Sequence, residues 1–253
     1  MGFDYLGFEE AKARGGLRLV VVGGVPSPWS EAAKGLFHMK GLDVTAIRLD
    51  HQNAALIAWA GAASAPVARY EDEPPRSGWA EILLLAERLA PEPALLPRDA
   101  ETRALAFGLC HELLGEQGLA WARREQLVHA GLKGAGGFAA GAARYLAQKY
   151  RAAQDAGASA ASRVAALLTF FSERLKASES GYLLGAAPTA PDVSLAAAMA
   201  LFAPLPPERC AMRESLRAAF ESRDAATAAA LDPALLAHRD RMYERHLAPV
   251  IAL

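Results

Sequence analysis

Apolar and polar positions follow two regimes that meet near residue 90 of the 253-residue chain. Ahead of that point, short strand-like runs alternate with helical ones. Leu17 to Val22 (LRLVVV) is a β-branched apolar run bounded by Gly15-Gly16 and Gly23-Gly24, the pattern of a buried strand. From Pro28 to Met39, Trp29, Ala32, Ala33, Leu36 and Phe37 recur at three-and-four spacing, which predicts a helix stopped by Gly41. Val44 to Leu49 (VTAIRL) alternates as a second strand, and Asn53 caps a short helix reaching Ala60. Val67 to Tyr70 (VARY) follows Pro66 as a third strand, and Ser77 begins a helix through Leu89 whose apolar face includes Ile82 and Leu85. The order is β-α-β-α-β-α, opening with a right-handed parallel βαβ unit.

Three prolines in the seven residues Pro91 to Pro97 (PEPALLP) mark the domain boundary. After it almost everything reads as helix, in segments around 99–130, 138–155, 158–177, 191–203 and 208–222. Alanine abounds there; it costs no side-chain entropy in a helix, although genomic composition would enrich it equally. The expected organisation is an α/β unit over 16–90, a linker over 91–97 and an all-helical unit over 98–253. The tail from His238 to Pro249 carries three arginines and two histidines and reads as solvated surface, with folding back over a cleft as the alternative.

Charge narrows the function classes. Lys plus Arg number 27 against 28 Asp plus Glu, and residues 1–90 hold 9 basic and 11 acidic side chains, leaving 18 and 17 for the rest. Neither half offers a field for a polyanion, so nucleic acid is not an expected partner. Cys110 and Cys210 stand far apart with no CxxC or CxxxH, which argues against a zinc site or a redox pair and fits a reduced, cytoplasmic chain. No window holds eighteen consecutive apolar residues, the N-terminus carries charges where a secretory leader needs an apolar core, and Gly2 is followed by Leu6 where a myristoylation motif wants Ser or Thr. A soluble protein away from the membrane is expected. Lys133 to Gly137 (KGAGG) follows helix rather than strand and reads as a helix joint, not a phosphate loop. His238-Arg239-Asp240 lacks every other part of a kinase signature.

Ser27-Pro28 is an ordinary helix start, a serine at N-cap followed by proline at the first helical position. A hydroxyl at a strand-to-helix turn also sits beside the positive end of the helix, where an anion such as a thiolate is stabilised. Thr189-Ala190-Pro191-Asp192 has capping-box spacing, read as a folding determinant. Cys110 and His111 are adjacent on a helix, so their side chains diverge and both read as core or interface residues.

These segments together resemble the cytosolic glutathione S-transferase superfamily, in its bacterial type with a serine-type N-terminal motif. Leu17 to Leu42 is similar to the family's opening of strand, Ser-Pro-aromatic turn and helix ending in Lys-Gly-Leu; Ala65-Pro66-Val67 resembles its cis-proline motif. Arg76-Ser77 falls where relatives carry Glu-Ser or Asp-Ser, 91–104 resembles their linker, and Gly181 to Ala196 (GYLLGAAPTAPDVSLA) their Gly-x-x-Pro-Thr-x-x-Asp segment. The resemblance implies a thioredoxin-like α/β domain followed by an all-α domain, a homodimer, and glutathione as co-substrate with no metal. It implies Ser27 as the hydroxyl on the glutathione sulfur, with Ser30 as fallback and Tyr5 too far upstream. Ala65 and cis Pro66 would present backbone to the cysteinyl part, Ser77 would hold the γ-glutamyl carboxylate, and Trp29, Trp59 or Trp79 would touch ligand or dimer cleft, with burial the commoner fate of tryptophan. Arg76 replaces an acidic residue and would hold a carboxylate instead of the glutathione ammonium. Glu71 to Pro75 (EDEPP) leaves little room for the usual fourth strand, and the first helix turn has no cysteine for thiol exchange. The implied reaction is conjugation of glutathione thiolate to a hydrophobic electrophile; the alternatives are a non-catalytic relative that binds a ligand or protein, or a glutathione-dependent isomerase or peroxidase.

Overall fold

The structure is a computed structural model that describes residues 3–150 and 156–253; Gly2, and the 151–155 end of the helix expected over 138–155, lie outside the described residues. Its first half contains β1 (Phe3–Tyr5), α1 (Phe8–Ala13), β2 (Leu17–Val21), α2 (Pro28–Met39), β3 (Val44–Arg48), α3 (Ala54–Ala60), β4 (Val67–Tyr70) and α4 (Trp79–Leu89). The sheet order is β1-β3-β2-β4, with β1, β3 and β2 parallel and β4 antiparallel. All five residues of β2 are buried because both sheet faces are covered. Leu17, Leu19 and Val21 meet Leu36 and Phe37 of α2 and Ile82 and Leu85 of α4, while Val20 turns to Ile47, Leu56, Val67 and Ala11 on the other face. Each such aliphatic side chain contributes about 1.5–3 kcal/mol by leaving water. This is the thioredoxin-like half.

Two features differ from the expected α/β unit. It starts before residue 16: β1 pairs with β3, and Ala11 of α1 is fully buried under the sheet. Three residues of strand are too few to show a period, so the sequence pattern hides them. At the opposite edge, the strand after β4 shrinks to a single bridge, in which Ala68 and Arg76 exchange two backbone hydrogen bonds of 2.8 and 2.9 Å.

The second half is helical: α5 (Ala100–Leu114), α6 (Leu119–Leu132), α7 (Ala140–Tyr150), α8 (Ala156–Lys176), α9 (Ala190–Ala198) with a 3-10 turn at Met199–Leu201, α10 (Glu214–Glu221), α11 (Ala225–Ala230) and α12 (Pro233–Arg245). The single helix expected over 99–130 is two, because apolar spacing continues across a backbone break. Gly115 ends α5 and Gly118 caps α6, and a Cβ on Gly118 would lie 2.6 Å from the His111 carbonyl oxygen. Lys133 to Gly137 is the joint between α6 and α7.

The halves meet along α2 and α9, every residue of which is buried in α9. A Cβ on Gly35 would come within 2.7 Å of Val193 Cγ1, so the glycine is what lets these helices approach. Lys40 Nζ reaches Glu87 and the Pro93 carbonyl oxygen, each at 2.6 Å, and ties α2 to the linker. Asp192 accepts from the Thr189 amide and Leu183 amide, each at 2.8 Å, from the Thr189 hydroxyl at 2.9 Å, and pairs with His238 Nε2 at 3.0 Å. Both halves of the capping box are present, the threonine hydroxyl also donates to the carboxylate, and the expected folding role extends to α12. That helix also corrects the solvated-tail expectation: His238 and Arg239 are 2% and 8% exposed. Beyond it, the Ala252 carbonyl oxygen accepts from Tyr5 Oη and Lys34 Nζ, each at 2.9 Å, so the tail closes over α2 and β1.

Candidate ligand-binding cleft

A cleft of about 350 Å³ opens between the halves. The loop after β2 (Val22 to Val25), Ser27 and Ala65 form one wall; Phe138, Tyr145, Lys149 and Tyr150 of the α6–α7 region, with Arg213 and Phe220, form the other. Trp29 and Arg124 stand where the walls join. The tail residues Leu247, Ala248 and Val250 to Ala252 line a different cavity, over Glu31 and Lys34, and not this one.

Ser27 occupies the N-cap of α2, as expected, but its hydroxyl makes no capping bond and has no other hydrogen-bond partner among the described residues. The residue is 9% exposed and lines the cleft. The Ala65-Pro66 peptide is cis, and the N–H and C=O of Ala65 lie beyond the ladder that ends at Val20 and Val67, without hydrogen bonds among the described residues. A free hydroxyl and a free backbone pair thus face one cavity.

The other candidates are differently engaged. Ser30 is fully buried and its Oγ accepts from the Val22 amide at 3.1 Å, fastening the end of β2 to α2; it does not line the cleft. Arg76 pairs with Glu73 at 2.7 Å, and Arg88 binds the same carboxylate, so Arg76 offers no free fork to a ligand. These two guanidinium groups hold Glu73 below the usual carboxylate range. Ser77 precedes the helix start by one residue more than expected, since Gly78 is the N-cap of α4; the Ser77 and Gly78 amides donate to Glu81 Oε2 at 3.2 and 3.1 Å. The anion position at that helix end is filled by the chain's own side chain. Pro66 is buried behind Ala65. Trp29 Nε1 donates to the Leu114 carbonyl oxygen at 2.7 Å, which makes it a joint between α2 and α5 as well as cleft wall. Trp59 packs against Phe8, and Trp79 against Phe107 and His111 in an open apolar groove outside the cleft. Cys110 is fully buried, and desolvation pushes its thiol up to about 12, which leaves it inert.

Sequence reasoning did not single out the helical wall. The Arg124 guanidinium lies 4.9, 4.3 and 3.7 Å from the ring centroids of Trp29, Trp121 and Tyr150. Burial draws its pKa below the ordinary arginine value. Arg124, Lys149 and Arg213 line the cleft together with His51, and no Asp or Glu is among the lining residues. The available signal was the three-residue spacing of Trp121 and Arg124, which stacks both on one helix face, but the other two rings come from α7 and α2. Among the described residues no group of three or more His, Cys, Asp or Glu is placed to hold a metal, and no helix is long and apolar enough to cross a membrane.

No family model matches the chain, and no curated protein sequence matches it. Solved structures do. A glutathione S-transferase from Xanthobacter autotrophicus Py2 superposes with a TM-score of 0.58 at 21% identity, covering 93% of this chain and 96% of that one. A beta-etherase from Sphingobium sp. strain SYK-6 gives 0.64 at 17% identity over 90% and 95%. A glutathione transferase family member from Pseudomonas fluorescens Pf-5, crystallised with two glutathione bound, gives 0.62 at 13% identity over 91% and 89%. With its thioredoxin-like sheet domain, its helical second domain and the cleft between them, the chain has the fold of the glutathione S-transferases.

Proposed function

We propose that the chain is a glutathione transferase-like protein that holds glutathione in the cleft and joins its sulfur to a hydrophobic electrophile. The observation that carries this reading is the uncommitted Ser27 hydroxyl at the N-terminus of α2, in one cavity with the free backbone of Ala65. The cysteinyl part of glutathione would lie along Ala65 as an added strand, accepting from its N–H and donating to its C=O. The Ser27 hydroxyl would then donate to the sulfur. That bond and the positive helix end both favour thiolate over thiol, whose unperturbed pKa is about 8.5. The proton passes to water, the thiolate attacks the electrophilic carbon, and with an aryl halide the C–S bond forms as halide departs. Holding both reactants in one cleft removes part of the entropic barrier.

The fit is good for the cysteinyl part and poorer at the γ-glutamyl end, where Glu81 already takes the Ser77 amide. That contact favours the second reading, a non-catalytic protein that binds a ligand or partner. A symmetric dimer, as the resemblance implies, would bury the open apolar groove of Trp79, Leu105, Phe107 and Phe170 between α4, α5 and α8. A cytoplasmic setting suits a reduced thiol co-substrate.

Titration of tryptophan fluorescence with glutathione, followed by conjugation to chlorodinitrobenzene, separates the readings. We expect saturable binding and turnover, with Ser27→Ala lowering kcat/KM by roughly ten- to hundredfold, the worth of a hydrogen bond to a charged atom. No binding at millimolar glutathione leaves the second reading. Turnover untouched by Ser27→Ala removes Ser27 from the chemistry.

A further inference from the structure

We infer that the second substrate of this cleft is an aromatic or extended apolar electrophile that carries a carboxylate, with the carboxylate held by Arg124. The inference rests on the transferase reading and adds a substrate class to it. An arginine drawn into the interior normally finds a carboxylate or several carbonyl oxygens. Arg124 makes no hydrogen bond and no ion pair among the described residues: Glu125 lies within electrostatic reach, but its carboxylate accepts from Trp121 Nε1 at 3.0 Å, and the Arg124 Nη2 is a buried donor without a partner. Leaving such a donor unpaired costs about 1–3 kcal/mol, and the three rings around it supply face attraction but no acceptor. The guanidinium is therefore oriented and stripped of part of its water before any ligand arrives, which is the arrangement that makes a planar fork selective for a carboxylate.

The neighbours favour the same charge. Lys149 Nζ has one long hydrogen bond, 3.3 Å to the Ala63 carbonyl oxygen, and Arg213 is exposed at the rim. No lining residue brings a negative charge to offset them. Phe138, Leu146 and Phe220 complete the wall and suit the apolar body of the same molecule. Glutathione has carboxylates of its own. The electrophile is preferred because Lys149, Arg213 and these apolar residues belong to the wall opposite Ser27 and Ala65, where the reacting carbon must lie.

The test compares chlorodinitrobenzoate with its methyl ester at saturating glutathione, each kcat/KM being divided by the uncatalysed rate with glutathione. The acid is expected to lead by roughly tenfold or more, the worth of a charge-assisted pair. In Arg124→Met the ratio should fall to about one, with Arg124→Lys between, because Lys keeps the charge and loses the fork. A wild-type ratio at or below one overturns the inference, and this reading needs no variant to fold. So does a ratio that survives Arg124→Met. If Arg124→Met weakens glutathione binding as much as it weakens use of the acid, Arg124 serves glutathione and the inference also fails. Absence of all conjugation sinks the transferase reading instead. Calorimetric titration of acid and ester without glutathione then decides: selective binding of the acid, lost in Arg124→Met, sustains the carboxylate site, and equal binding overturns it.

Discussion

Arg123 and Arg124 are consecutive residues of α6, and a helix turns about 100° between them, so one points into the helical domain and the other into the cleft. Arg123 is 1% exposed and saturated: Nε donates to the Leu201 carbonyl oxygen at 3.1 Å, Nη1 to Gln126 Oε1 at 2.6 Å, and Nη2 to the Phe220 and Ser222 carbonyl oxygens at 2.9 and 2.5 Å. Gln126 in turn donates to Asp224 at 2.9 Å and to Thr227 at 2.8 Å. Burial pulls the Arg123 pKa down to about 10, still charged at neutral pH. Arg124 meets three rings and, among the described residues, makes no hydrogen bond. The same residue type, one position apart, thus closes the fold in one direction and leaves a binding group open in the other. Arg124 is also less buried than Arg123, so what marks it is the unpaired Nη2 rather than depth.

The sharpest way to break the comparison is to remove both. Arg123→Met leaves the carbonyl oxygens at the ends of the 3-10 turn and α10 without this donor and deletes a buried network, and should cost about 3–5 kcal/mol of unfolding free energy in a urea titration. Arg124→Met deletes a donor that has no partner, and its cost should stay below about 1 kcal/mol. Equal losses would mean that Arg124 is a structural residue held by its rings.

An intermediate case tests satisfaction through pH. Glu31 of α2 is buried with one cationic partner, Lys34 at 2.7 Å, and desolvation outweighs that pair and pushes its pKa up to about 7. The unfolded carboxyl ionises near its ordinary value of about 4.3. Between those two values the folded chain keeps a proton that the unfolded chain releases, so stability falls as pH rises through that window. Glu31→Gln should flatten that slope in urea midpoints measured across it. A slope of the same size in the variant would show that Lys34 is sufficient and Glu31 is ionised throughout.

The sequence showed elements best where one period ran between clear stops. Val67 to Tyr70 and Pro28 to Met39 match to the residue, and the Ala65-Pro66 peptide is cis with Ala65 on the cleft wall. It failed where a nearby group of the chain had already taken the side chain or amide that a ligand would need. Ser30 is taken by Val22, Arg76 by Glu73 and the Ser77 amide by Glu81, choices made by side-chain geometry that no spacing encodes. Arg124 was invisible for the converse reason: its distinction is a buried Nη2 without a hydrogen-bond partner among the described residues, which only the packing of α2, α6 and α7 shows.

The smallest effect separates two helix caps of the first domain. Asn53 at the start of α3 accepts from the Leu56 amide at 2.9 Å through its side chain, whereas Ser27 at the start of α2 makes no such bond. An N-cap replaced by alanine typically loses about 1 kcal/mol because an orphan amide loses its acceptor. Asn53→Ala should show that loss in thermal or urea unfolding. Ser27→Ala should show less than half of it, since no amide depends on its hydroxyl and Pro28 already presets the first helical turn. The same variant is the one expected to lose conjugation. A large activity loss with almost no stability loss would mark the hydroxyl as reserved for a ligand. If Ser27→Ala instead destabilises as much as Asn53→Ala, the hydroxyl is a cap in solution, and the cleft loses the donor on which thiolate stabilisation depends.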